Sequence, residues 1–299
     1  MKAFVIVLSM LCAVMAGAGV SFTPSDGRTA MAAAVELVSK CTPRDAGTAQ
    51  GRRAAELIRS QLERIAVKAK LDPFVATSRG EIRSYANVIA EFPSTPSLPW
   101  IVIMSHFDTK PGIVGFQGAN DGASTSGLLV ALAGALARTP PLPVNVCLVW
   151  TDAEECRVAY ADDDGFQGSR RAAERFRALK REVKAAVCLD MLGDRKLDII
   201  VPANGTPELR RLVAECAAAA GFAGRLTLRD DIAVGDDHSS FLAAGFPAVD
   251  LIDFNYGATP FGNEYWHTAE DKLERISSAS LFIAGRITVE LINRLAGVN

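Results

Sequence analysis

The chain is poor in histidine: only His106, His238 and His267 occur in 299 residues, so imidazole chemistry has few positions to draw on. It also lacks a dominant charge. Lys and Arg number 32 against 34 Asp and Glu, a formal −2, which leaves no electrostatic footprint for nucleic acid or an anionic membrane. A neutral or peptide-like partner fits better. None of the six cysteines has C-x-x-C spacing, which argues against a structural zinc site, and the five that follow Cys12 are too few and too odd in number for a disulfide framework. One disulfide stays open, although Cys147 and Cys188 sit inside apolar runs and read as core residues. The run Ala3 to Val14 is too short to span a bilayer. There is no repeat, low-complexity stretch or interior linker, so one domain is expected over residues 19–299.

What the chain does have is ordinary globular composition, 49% hydrophobic and 22% charged, with enough apolar material for a large core. Its start, Lys2 followed by the apolar run and by Ala16-Gly17-Ala18, has the form of a signal peptide over residues 1–18, which predicts export to the periplasm or medium.

Helical spacing marks Arg28 to Lys40, Ala49 to Lys68, Gln167 to Lys180, Pro207 to Ala220 and Ser277 to Leu295, with a helix beginning near Gly122 and a short one at Ser239 to Ala244. Between them lie the strands Arg83 to Phe92, Trp100 to Met104, Val144 to Trp150, Val183 to Leu189, Leu197 to Val201 and Ala248 to Ile252. This alternation predicts an α/β fold, an open, mostly parallel mixed sheet with helices on both faces.

Ligands of such sheets bind beyond the carboxyl ends of the strands. There the sequence places His106 and Asp108, then Asp152, Glu154 and Glu155, then Asp190 and Asp253, while loops add Asp121, Asp236, Asp237, His238 and His267. Burying that many like charges together would be prohibitive without a cation, and nitrogen and carboxylate donors without thiolate favour a catalytic zinc.

Six segments in order, His106-Phe-Asp108, Gly118-Ala-Asn-Asp121-Gly-Ala-Ser, Asp152-Ala-Glu154-Glu155, Asp190-Met-Leu-Gly193, Asp237-His238 and Trp266-His267-Thr268, resemble the zinc aminopeptidase and glutaminyl cyclase superfamily. The resemblance implies a zinc exopeptidase-like α/β/α sandwich acting on peptide or protein N-termini. It implies that Asp121, Glu155 and His267 bind a zinc common to both branches, and that His106 and Asp190 complete a second site in the aminopeptidases, with Asp121 bridging and Asp108 orienting His106. Glu154 is the implied general acid and base. A glutamate pair suits these roles physically, because one carboxylate can hold a metal while its neighbour transfers protons.

The spacing from Asp152 to Gly168-Ser169-Arg170, the Asp236-Asp237-His238 run and Trp266 beside His267 resemble the glutaminyl cyclase branch. That branch implies one zinc, conversion of N-terminal glutamine to pyroglutamate, and proton sharing between Asp190 and Asp237. Tyr160, where the cyclases carry a pocket tryptophan, and Trp266 are the expected pocket residues. The aminopeptidase alternative implies two zincs and hydrolysis of the first peptide bond with the same residues; a catalytically inactive peptide-binding relative comes a distant third, because Glu154 is present.

Overall fold

The computed structural model describes residues 19–259 and 262–298; the leader expected over residues 1–18, with Cys12, lies outside the described residues. Among those described, no helix is long and apolar enough to cross a membrane. The five cysteines from Cys41 onward are buried and unpaired.

The chain opens with α1 (Pro24–Cys41), whose start is fixed by Pro24 in the first turn and by Asp26, which accepts from the Thr23 N–H at 2.8 Å. Helix α2 (Ala49–Arg64) is capped by the Thr48 hydroxyl, which accepts from Gly51 N at 3.1 Å. It stops short of the expected Lys68 because Ala66 turns into the left-handed region at φ 59°. Strands β1 (Lys70–Ser78), β2 (Glu81–Phe92) and β3 (Trp100–His106) follow, then α3 (Thr125–Ala137), β4 (Asn145–Thr151), α4 (Gln167–Ala178), β5 (Val183–Asp190) and β6 (Ile199–Val201). The chain continues through α5 (Pro207–Ala219), β7 (Leu226–Leu228), α6 (His238–Ala243), β8 (Ala248–Ile252) and α7 (Ser278–Ala296).

The eight strands form one sheet in the order β1-β2-β4-β3-β5-β8-β6-β7. Its centre, β4-β3-β5-β8, is parallel, while β1, β2 and the β6/β8 contact are antiparallel. Strands β1 and β7, which carry no strong apolar run, lie at the two edges. Pro73 within β1 fits that position, since a proline cannot donate to a ladder on its far side.

Central strands bury both faces, and the pleat deals their residues alternately to two cores. Ile101, Ile103, Val146, Leu148, Val187 and Leu189 face the larger core, against α1, α2, α3, α5 and α7. Val102, Met104, Cys147, Val149 and Cys188 face the smaller one, against Ala172, Ala173 and Phe176 of α4 and Phe241 of α6. Each fully buried side chain of this size contributes roughly 1.5–3 kcal/mol, so the strand centres are rigid supports. Because β3, β4, β5 and β8 run parallel, His106, the loop after Thr151, Asp190 and the loop after Ile252 all emerge at one edge of the sheet.

Candidate metal centre

Strand β3 runs two residues beyond its apolar stretch and ends on His106 itself. The His106 ring lies between carboxylates: Nε2 is 3.1 Å from Asp121 Oδ1 and 3.2 Å from Asp190 Oδ1, and Nδ1 is 3.5 Å from Asp108 Oδ1. Asp121 reaches this point on a kinked turn, Ala119–Ser124, in which its own ψ is 99° and Gly122 takes φ 88°. A Cβ at residue 122 would meet His106 Cε1 at 2.9 Å and Asp108 O at 3.0 Å, so only glycine allows the turn to close over the histidine. Asp121 lies before α3, whose N-cap is Ser124, and does not cap it.

The Glu pair is set by Asp108. Its two oxygens each accept one N–H, from Glu154 and Glu155, both at 3.2 Å. Ala153 just before the pair, Met191 just after Asp190, and His267 all hold positive φ, 58°, 56° and 53°. Such backbone costs energy at non-glycine residues and clusters at functional sites. His267 Nε2 lies 3.0 Å from Glu155 Oε1 and 3.4 Å from Asp121 Oδ2, with its ring stacked on Trp266 at 3.9 Å. Two sets of ligand-type atoms therefore converge within 4.8 Å, His106–Asp121–Asp190 and Asp121–Glu155–His267, and Asp121 belongs to both.

Asp121, Glu155, Asp190 and His267, with Glu154, border a cavity of ≈ 260 Å³ whose walls include Tyr160, Ile252, Phe254, Trp266 and the 232–236 segment. Tyr160 stacks on Phe166 at 4.6 Å, and its hydroxyl donates to Glu154 Oε1 at 3.2 Å.

Burial lowers the proton affinity of His267, but hydrogen bonds to Asp121 and Glu155 outweigh it and raise the pKa to about 9. His106 is likewise raised well above the ordinary range against the effect of burial, by Asp108, Asp121 and Asp190. Asp121 is held low despite its burial, by the two imidazoles. Glu155 is pushed up to about 7 by burial and by Asp121, and Glu154 well above the usual range by burial, opposed by His106 and reinforced by Glu155, Asp236 and Asp237.

Other expected residues fall elsewhere. Asp237 does not line the cavity: its carboxylate accepts from the Thr151 hydroxyl, and Asp236 takes the place at the wall that the sequence had given to Asp237. Two neighbouring aspartates before a six-residue helix offer no periodicity to say which faces inward. His238 sits apart, with Nε2 3.1 Å from Asn204 Nδ2 and its pKa lowered to about 4 by burial. Asp152 and Asp253 serve the backbone, accepting from Ala86 N and Asp198 N, both at 2.9 Å. Three residues went unnoticed in the sequence. Asp271 accepts from Asn120 N at 2.8 Å and Asp121 N at 3.1 Å, and its place four residues after His267 was the available signal. Asp250, a charge inside an apolar strand, groups with Cys188 and Asp236. Arg44 gave no local signal.

Comparison with known proteins gives the family and the fold. The chain is 25% identical to the mouse glutaminyl-peptide cyclotransferase-like protein over 77% of its own length and 65% of that protein's, so it spans just under two thirds of that relative. An Acidobacteriales glutaminyl cyclase structure superposes with a TM-score of 0.84 at 30% identity, covering 93% of this chain and 97% of that one. A Bacteroides thetaiotaomicron leucine aminopeptidase precursor superposes at 0.79 with 20% identity, covering 91% and 98%, and shares the fold. The profile of peptidase family M28 matches residues 87–292. The chain belongs to the M28 peptidase family.

Proposed function

We propose that this protein is a zinc-dependent glutaminyl-peptide cyclotransferase that turns N-terminal glutamine into pyroglutamate with release of ammonia. The observation that carries the reading is the likeness to a glutaminyl cyclase at 30% identity over nearly the whole chain, against 20% for the aminopeptidase precursor.

The residues fit zinc on their own chemistry. Asp121, Glu155 and His267 offer two carboxylates and one imidazole within 4.8 Å, and buried Asp121 Oδ2 has His267 Nε2 3.4 Å away but accepts no well-directed hydrogen bond. These three would hold the metal. When bound, zinc supplies a Lewis acid that polarises the side-chain amide carbonyl of the substrate. Glu154 accepts a proton from the α-amine as its nitrogen bonds to the amide carbon, then returns that proton to the departing ammonia as the old C–N bond breaks. Beside it, burial raises Asp190 against its hydrogen bond to His106, and burial together with the charges of Asp190 and Asp237 raises Asp236, so these carboxylates favour holding a proton next to Glu154. Tyr160, Phe254 and Trp266 form the apolar wall that keeps water from the reacting amide. Purified, zinc-loaded protein should release ammonia from Gln-initiated peptides in a coupled ammonia assay; no release at any enzyme concentration tested would sink the reading.

The His106–Asp121–Asp190 set favours a second reading, a two-zinc aminopeptidase. Two zincs per chain, with free amino acid released from Leu-initiated peptides, would support it over cyclisation.

The charge state of the metal-free site sets a pH dependence. His267 keeps its proton up to about pH 9 and Glu155 up to about 7, and zinc must displace such protons. Falling pH therefore weakens binding. Apparent zinc affinity should rise by at least about tenfold per pH unit through neutrality, with net proton release in calorimetry; an affinity independent of pH there would contradict the site as drawn.

A further inference from the structure

Arg44 lies in the link between α1 and α2, 77 residues before Asp121, and is fully buried. A buried guanidinium is costly unless its donors are met. Here its hydrogen bonds end on main-chain carbonyls of the metal-bearing stretch: Nε donates to Phe107 O, Nη1 to Gln117 O at 2.7 Å, and Nη2 to Gly118 O at 2.6 Å and Asp121 O at 3.4 Å. One side chain thus ties the exit of β3 to both ends of the loop that delivers Asp121.

The arrangement is fixed from both sides. Arg44 N donates to Thr109 Oγ1 at 3.0 Å, and that hydroxyl donates to Asp45 Oδ1 at 2.6 Å, which anchors the base of the arginine to the same stretch. Gly118, at φ 54°, lies so close that a Cβ would meet Arg44 Nη2 at 2.9 Å. Opposite, Asp271 accepts the N–H groups of Asn120 and Asp121 and is itself held by the Tyr256 hydroxyl at 2.8 Å. The turn is gripped by its carbonyls on one side and its amides on the other.

We infer that Arg44 is a positioning residue for the metal centre, acting through the carbonyls of residues 107–121 to hold the Asp121 carboxylate between His106 and His267. The inference rests on the reading of Asp121 as a metal ligand. A lysine at 44 keeps the charge but replaces the planar fork by one ammonium, which cannot serve carbonyls spread over this loop.

The test compares Arg44→Lys and the milder Thr109→Val with wild type in the full chain. It measures zinc affinity by competition with a chromophoric chelator, the visible spectrum of the cobalt-substituted protein, and the melting temperature of the metal-free form. Supporting groups of this kind typically change metal affinity by ~10- to 100-fold. That loss is expected for Arg44→Lys, with a shifted cobalt spectrum, and a smaller ~3- to 10-fold loss for Thr109→Val. A lowered melting temperature with zinc affinity and cobalt spectrum unchanged would make Arg44 merely structural and overturn the inference. If Arg44→Lys fails to fold, unchanged zinc affinity in folded Thr109→Val overturns it alone. Failure of the wild type to bind zinc would remove the underlying metal reading instead, and the inference with it.

Discussion

Glu154→Gln should retain zinc at the wild-type level and lose turnover by ~10²- to 10⁴-fold, the range that a positioned general acid and base contributes. The substitution preserves shape, so the bond from the Tyr160 hydroxyl to residue 154 and the bond from its backbone N–H to Asp108 both remain available. What disappears is a group that gains and loses a proton between two nitrogens. Glu154 belongs to neither set of converging ligand atoms, so metal content should not follow activity down. Zinc content by atomic absorption, measured beside kcat for a Gln-initiated peptide, separates the two quantities. Full activity in Glu154→Gln would defeat the cyclisation mechanism and the hydrolytic alternative together.

Asp121→Asn should lose metal and activity at once. Asp121 is common to the His106–Asp121–Asp190 and Asp121–Glu155–His267 sets, so this one change weakens both of these metal positions. The several kcal/mol of charge stabilisation that a bound metal supplies correspond to a fall of ~10³-fold or more in kcat/KM. The same change removes the carboxylate that, with Glu155, raises His267 to about 9. In the metal-free variant the His267 pKa should therefore move down, in the direction burial alone dictates, which a proton NMR titration of the ring would detect. Wild-type zinc content in Asp121→Asn would place the metal elsewhere.

How far such a site can be read from sequence depends on whether the information is local. Strands β3, β4, β5 and β8 are apolar runs because both faces are covered, and each run ends beside a polar residue that the parallel sheet carries to one edge. His106, Glu154, Glu155 and Asp190 were therefore visible. Strand β1 was not, because an edge strand with residues as exposed as Val75 needs no apolar pattern. The exchange of Asp237 for Asp236 at the cavity wall reflects a loop turn that spacing cannot encode. Arg44 was invisible for a stronger reason: the groups it binds lie 63 to 77 residues away and are backbone carbonyls, which every residue possesses. Only the fold shows that a lone arginine between two helices reaches the metal loop.

The chemistry itself turns on one product. A single Gln-initiated peptide presents both bonds that the cavity has been proposed to attack, the side-chain amide and the first peptide bond. The most direct measurement is the mass of that peptide after incubation with zinc-loaded protein. Cyclisation gives the intact chain lighter by one ammonia, with Glu154→Gln protein giving almost none. Release of free glutamine with a peptide shortened by one residue, and no ammonia-loss product, would contradict it.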